Sequence, residues 1–530
     1  MVRVVLAGLK HDTSTKTCDH KLKTRYESNI QTEKARALLL TVEVCQHERM
    51  TKTIALGLDL GTSGVRVLAV NDKGKVVAEV NKHYPLLTPQ PGWTEQNPND
   101  WAKQSLLALK DMAKKVKGHT IIALGLSGQM HGMTPLDAKG DVVRPAILWN
   151  DQRTGKAVKT MEKALPRKDF IQRTGNPAIT GFHLPKLVWL RKAEPDNFKR
   201  TKHSLLPKDY IGYILTGQMA SEPADNSGTN CFHLASKNWD TDILKELKIS
   251  PSLFPAVIAS HEITGNITKA IAKQTGLPEG LPVIAGAGDN AAAATGLGLS
   301  SRKPTLGSVS LGTSGVIFAP LKNPTPDPQG RVHLFCHADG GYNLLGVTLS
   351  AAGSLQWYHD TFAKDIPFNK LVDMAAKSKP GANGVTFKPY LAGERTPHLN
   401  PDLRGSFTGL SLANNQGDVV RAVLEGVAFS LRDALDIINP LQKLSSGLAT
   451  GGGSQSKLWL QMISDVLELP LSIPTYNQGA AYGAALLAMK GVGVTDDTTK
   501  LVDSKMSSKV SPKNSKVYKE GLRAYRAVPL

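Results

Sequence analysis

An α/β fold made of two related domains is predicted for this chain of 530 residues, and three observations carry the prediction. The hexapeptide Leu60-Gly61-Thr62-Ser63-Gly64-Val65 recurs letter for letter as Leu311-Gly312-Thr313-Ser314-Gly315-Val316. Each copy lies between two apolar runs, Ile54 to Leu58 and Val65 to Val70 in the first, Thr305 to Val309 and Val316 to Ala319 in the second, which reads as strand, tight glycine turn, strand. The first hairpin is followed by a third strand, an amphipathic helix and a further buried strand. Three antiparallel strands, a helix and a buried strand open a ribonuclease-H-like or actin-like domain. The second hairpin then opens a sister domain, which places the two domains at residues 50–300 and 301–530 with a cleft between them.

Taken in order, residues 1–49 mix charges with Thr, Ser and His without a sustained period. They contain Asp12, Asp19, Glu27, Glu33, Glu43 and Glu48, too acidic for a transit peptide, and read as a disordered leader or a mis-called start ahead of Met50. After the first hairpin, Asn71-Asp72-Lys73-Gly74 turns the chain into a strand over Lys75 to Val80. A helix follows: Asn97 caps it, Pro98 suits its first turn, Ala102, Leu106, Leu109, Ala113 and Val116 share a face, and Gly118 closes it. The strand Ile121 to Leu126 delivers Ser127-Gly128-Gln129-Met130-His131-Gly132 to a loop. Further on, Val283 to Gly288 reads as a strand and glycine turn before a helix that begins near Asp289, and Leu448 to Thr450 leads through Gly451-Gly452-Gly453 into a helix over Leu458 to Leu467.

Composition narrows the function. An apolar content of 41% supports a soluble globular body of about two to four domains. No apolar run approaches the roughly 20 residues that span a bilayer. Cys18, Cys45, Cys231 and Cys336 form no CxxC pair and no metal-ligand spacing, which fits a reducing, cytoplasmic compartment. The net charge of +19 raises the question of nucleic acid, but the Lys and Arg residues are spread along the chain with no zinc-finger or long basic run. A solvated basic surface that favours small anionic ligands is the reading adopted, with neither nucleic acid nor membrane as a partner.

Several residues carry chemistry. Asp59 ends an apolar strand on the face opposite Leu56, Leu58 and Leu60. It is either a carboxylate for Mg²⁺ held through water or a turn residue that accepts from the amides of Gly61 or Thr62. Asp289 is either the cap of its helix, with Ala291 to Ala294 as a packing face, or a general base. In the second case helix-end amides keep it ionised and the alanines leave room for a substrate hydroxyl. The Thr and Ser of the two hairpins and the glycines 451–453 offer amides and hydroxyls suited to phosphate, or else only turns. His131 has no His at i+4 and no nearby Cys, so it reads as a ligand contact or a structural hydrogen-bonder, not a metal ligand. Trp149 and Trp93 read as sugar-facing or core.

Ordered blocks across the chain sharpen these choices. Leu58-Asp59-Leu60-Gly61-Thr62-Ser63, Gly92-Trp93-Thr94-Glu95-Gln96, Pro185-Lys186-Leu187-Val188-Trp189, Gly288-Asp289-Asn290, Gly393-Glu394-Arg395-Thr396-Pro397-His398 and Gly451-Gly452-Gly453-Ser454 together resemble the FGGY carbohydrate kinases from about Thr51 to the last helix. The resemblance implies two actin-like ATPase domains, the first binding sugar and the second ATP. It also implies ATP-dependent phosphorylation of a ketose, D-xylulose, to its 5-phosphate in pentose catabolism. Residue by residue, it implies Asp289 as the base for the C5 hydroxyl and Asp59 as the metal-side carboxylate for Mg²⁺. Met130, His131, Trp149 and Asn290 become sugar contacts, and Thr62, Ser63, Gly312, Thr313, Gly451, Gly452 and Gly453 face the ATP phosphates. Family members are often homodimers. His183, Ala193, Ala102 and Glu222 depart from the family pattern, so ribulose, gluconate or glycerol remain alternative substrates, and a non-catalytic sugar- or nucleotide-binding regulator is a further alternative.

Overall fold

A computed structural model describes residues 53–530; the expectations placed on residues 1–49, Met50, Cys18 and Cys45 lie outside the described residues. Strands β1 (Thr53–Leu60) and β2 (Gly64–Asn71) form the first hairpin, with Asp59 opposite Arg66 and Leu60 opposite Val65. β3 (Val76–His83) continues the antiparallel meander. In helix α1 (Pro98–Lys115) Asn97 accepts from the Asn99 amide, Asp100 lies in the first turn and Lys114 and Lys115 in the last, an arrangement that complements the helix dipole. Period two on β1 decides what faces what. Ile54, Leu56, Leu58 and Leu60 share a core with Trp101, Leu109 and Met112 of α1. Asp59 therefore points to the other face.

β4 runs from Thr120 to Gly128, two residues beyond the expected end. The reason is its parallel neighbour. β5 (Ile263–Asn266) leads to β6 (Pro282–Gly288), which holds Ala287 opposite Ser127 and Gly288 opposite Gly128. Helix α2 (Asp289–Gly296) begins on the residue after β6, with no intervening turn. The first sheet has the order β5-β6-β4-β1-β2-β3.

The second half repeats the plan. β7 (Leu306–Leu311) and β8 (Gly315–Leu321) form the second hairpin, Leu311 opposite Gly315. β9 (His333–Cys336), β10 (Tyr342–Thr348), α3 (Gln416–Ile438), β11 (Ser446–Thr450), α4 (Lys457–Leu467), β12 (Leu471–Pro474), α5 (Gly479–Gly491) and β13 (Met506–Val510) follow. The sheet order is β9-β10-β8-β7-β11-β12-β13.

Helix α5 lies late in the chain yet packs on the first sheet. Ala481, Tyr482, Ala485 and Leu486 share a core with Ala55, Leu68, Val70 and Ala123. A Cβ at Gly57 would overlap the carbonyl of Ala481, and one at Gly125 that of Ala484, so these strand glycines are what lets the helix lie close. Ala291 and Ala292 of α2 cluster with Ala480 and Leu487 of α5. The alanines after Asp289 thus make a packing face, and the expectation that they leave room for a substrate hydroxyl is corrected.

Candidate active site

Three strands of the first sheet bring their ends together. The Gln129 amide donates to the Leu60 carbonyl at 2.8 Å, and Gly128 lies opposite Gly288, so Asp59, Met130, His131 and Asp289 issue from neighbouring positions. Strand ends of open α/β sheets are where such folds collect ligand contacts.

The turn-stabilising role expected as one choice for Asp59 is not what its atoms do. The Gly61 amide donates to the Gly64 carbonyl at 2.9 Å, and Asp59 Oδ1 is buried without a hydrogen-bond partner among the described residues. Burial pushes its carboxyl up to about 6, only partly offset by the nearby Ser127 hydroxyl and the Arg66 charge. Asp289 is not the helix cap either: it is the first residue of α2, and Gly288 occupies the cap position. Its Oδ1 accepts from the Asn290 side-chain amide at 3.0 Å. Burial and the charge of Asp59 push Asp289 up to about 7, against the pull of the Asn290 hydrogen bonds. The expectation that helix-end amides keep it ionised is corrected, because desolvation and a second carboxylate outweigh them.

Met130, His131, Trp149, Asp289 and Asn290, separated by up to 160 positions, line one cavity of about 200 Å³. His131 sits at φ +66°; its Nδ1 donates to the Gly228 carbonyl at 2.6 Å, and its ring stacks on Phe182 at 4.2 Å. Burial, with Lys186 and Arg395 nearby, pushes it down to about 3, so the ring is neutral and Nε2 is left as an acceptor. Lys186 Nζ fixes this loop by donating to the carbonyls of His131 at 2.7 Å and Gly181 at 2.6 Å. Trp149 is 39% exposed and is not core. Trp93 is held elsewhere, with the Arg153 guanidinium 3.7 Å above its ring.

Trp149 ties the cavity to the first hairpin. Its Nε1 donates to Thr62 Oγ1 at 3.1 Å, and that hydroxyl donates to Gln129 Oε1 at 3.2 Å. Ser63 stands exposed beside it. On the second sheet, β7 and β11 are parallel with Ser310 opposite Thr450, so Gly312 and Thr313 emerge beside Gly451, Gly452 and Gly453. Gly451 has φ +84°, and a Cβ there would lie 2.6 Å from the Leu311 carbonyl; Gly452 faces open space. The Ala352 and Ala351 amides donate to the carbonyls of Gly312 and Thr313, each at 2.8 Å, which anchors the turn. Ser314, from the same turn, reaches the cavity that holds Asp289.

Among the residues of the cavity wall that were not singled out from sequence are Phe182, His333, Phe335 and Arg395. Arg395 lies inside a quoted motif, and Glu394 orients its backbone by accepting from the Arg395 amide at 2.7 Å and from the Leu349 amide at 2.9 Å. The other three carry no local signal. Behind Gly288 lies a further buried group: Lys208 Nζ is 2.6 Å from Asp209, 3.4 Å from Glu222 and 3.8 Å from Asp225. Glu222, one of the departures from the family pattern, caps the short helix Pro223–Asn226 by accepting from the Ala224 amide at 2.7 Å and the Asp225 amide at 2.9 Å.

The model for the N-terminal domain of the FGGY family of carbohydrate kinases matches residues 54–296, and that for the C-terminal domain residues 307–492. A protein of Escherichia coli named xylulose kinase is 40% identical over 437 residues, 82% of this chain and 89% of that one. One of the same name from Staphylococcus xylosus is 38% identical over 438 residues, 82% of this chain and 90% of its own. A crystal structure described as a xyloylose kinase from Brucella ovis superposes with a TM-score of 0.83 at 36% identity, over 90% of this chain and 98% of the other.

Proposed function

The chain belongs to the FGGY family of carbohydrate kinases, a phosphoryl-transfer enzyme with ATP as a substrate, and we propose that its sugar is D-xylulose, phosphorylated at the C5 hydroxyl by Mg²⁺-ATP. The observation that carries this reading is the convergence of Met130, His131, Trp149, Asp289 and Asn290 on one cavity, together with the names of the relatives that share most of the chain. Asp289 is the general base. Its place at a strand end and a carboxyl raised to about 7 suit a group that takes a proton near neutral pH. Met130, His131, Trp149 and Asn290 hold and orient the ketose.

Phosphoryl transfer asks mainly for alignment and charge neutralisation. Residues 50–300 supply the sugar side and residues 301–530 the nucleotide side. Thr62, Ser63, Gly312, Thr313 and glycines 451–453 offer backbone and hydroxyl donors to the phosphates. Asp59 fits Mg²⁺: its orphaned Oδ1 is an acceptor without a partner among the described residues. Among the described residues no cluster of three or more His, Cys, Asp or Glu side chains stands ready for a metal, as suits an ion that keeps waters and substrate phosphates as ligands. When bound, it supplies charge neutralisation at the phosphates. No helix among the described residues is long and apolar enough to cross a membrane, and a homodimer in the cytoplasm completes the proposal.

ADP release by the purified protein over D-xylulose, D-ribulose, gluconate and glycerol tests this. D-xylulose is expected to give the highest kcat/KM. Preference for another of these sugars or polyols overturns the xylulose reading, and turnover of none favours a binding regulator.

A further inference from the structure

His333 is a buried imidazole whose protonation pattern is dictated by its surroundings. Asn176 Nδ2 donates to the carbonyls of Leu334 at 2.9 Å and Thr174 at 3.2 Å, which fixes its amide orientation and turns Oδ1 towards His333 Nδ1 at 2.7 Å. Nδ1 must then carry the hydrogen, so Nε2 is a bare acceptor. The residue is 3% exposed, Nε2 has no hydrogen-bond partner among the described residues, and the residue lines the cavity that holds Asp289. Phe335 stacks on the ring at 5.5 Å with a 13° interplanar angle, and Phe182 lies 5.9 Å away, so the imidazole has little room to turn. A buried acceptor left unsatisfied is costly, so a donor on the ligand is the natural partner.

Phe182 lies 4.2 Å from His131 and 5.9 Å from His333, and Phe335 lies 5.9 Å and 5.5 Å from the same two rings, so both imidazoles belong to one aromatic end of the cavity. Arg395 bears on both of them, whereas Asp289 feels the charge of Asp59. With the C5 hydroxyl at Asp289, the C1–C2 end of an extended ketose meets the histidine and arginine end. The C2 carbonyl has no hydrogen to give, and the C1 hydroxyl has one. We propose that His333 is a specificity residue contributed by the second domain, its Nε2 accepting a hydrogen bond from the C1 hydroxyl of the ketose. The proposal rests on the reading that this cavity holds the ketose with C5 at the base.

The test compares kcat/KM for D-xylulose and 1-deoxy-D-xylulose in the unmodified enzyme, His333→Phe and His333→Gln, with thermal melting as the check on folding. The unmodified enzyme is expected to prefer D-xylulose by about tenfold or more, the usual consequence of leaving a buried acceptor unpaired. His333→Phe, which keeps a stacking ring, is expected to lose most of that preference through a higher KM for D-xylulose, and His333→Gln, which keeps an acceptor oxygen, to retain part of it. An unchanged preference in folded His333→Phe overturns the proposal. If that variant does not fold, equal kcat/KM for the two sugars in the unmodified enzyme overturns it instead. Turnover of neither sugar defeats the substrate reading and this proposal with it, whereas turnover without discrimination defeats the proposal alone.

Discussion

Asp59 and Asp289 are both withdrawn from water, and the charge of Asp59 makes ionisation of Asp289 harder. That tension has two measurable consequences. The base must be ionised to accept a proton, so kcat/KM for the sugar is expected to fall about tenfold per pH unit below about 7, read from initial rates between pH 5.5 and 8.5. A flat profile across that range contradicts the assignment. The second consequence concerns stability. The folded pKa of Asp289 is raised from 3.8 to about 7, so its favourable contribution is complete below pH 3.8 and is lost as pH rises through about 7. Asp289→Asn, neutral at every pH, is therefore expected to melt higher than the unmodified protein at pH 8 without ligands, the difference closing towards pH 4. A lower melting temperature at pH 8 would count against the burial argument. The position of Asp289 at a strand end was legible in the sequence, because the apolar run and the small residues are local. Its charge state was not, since that depends first on burial and then on Asp59, which lies far away in sequence and near only in the fold. The same holds for His333 and Phe182, whose meeting no local pattern announces.

At the scale of elements, the hairpins and α1 could be read in advance. Turn glycines, alternating apolar residues and the Asn97-Pro98 cap are short-range signals. Helix α5 is different: Ala480 to Met489 is buried on every side, so no amphipathic face in its sequence indicates that it belongs on the first sheet. The glycines that receive it look, in sequence, like weak points in strands. Gly57→Ala is expected to lower the melting temperature by about 5 °C or more, because the added methyl meets the backbone of Ala481 and the helix must move. An unchanged melting temperature would mean that the contact is looser than described. Gly451→Ala tests the other sheet. A methyl there is opposed both by φ +84° and by the Leu311 carbonyl, so the turn has to shift away from the hairpin beside it. The expected result is a KM for ATP raised about fivefold or more, with a smaller change in KM for the sugar. Equal effects on both would argue against a nucleotide role for this turn.

At the scale of the whole molecule, the cavity is made by both halves of the chain. Met130, His131, Trp149 and Asp289 come from the first, and Ser314, His333, Phe335 and Arg395 from the second. A ketose bound there touches both, so binding energy is available to hold the halves in register while water is kept from the reacting phosphate. Saturating D-xylulose is expected to raise the melting temperature in the absence of nucleotide, since a ligand at about 100 times its Kd stabilises the folded state by roughly 2.7 kcal/mol. The duplicated hairpins open the two halves and differ just before the turn, where Asp59 precedes Leu60 and Ser310 precedes Leu311. The account turns on Asp289 as the proton acceptor, and the most direct measurement is D-xylulose-dependent ADP release by Asp289→Asn in a protein shown by melting to be folded. It predicts a loss of turnover of about 10²-fold or more; turnover close to that of the unmodified enzyme would contradict it and require another group as the base.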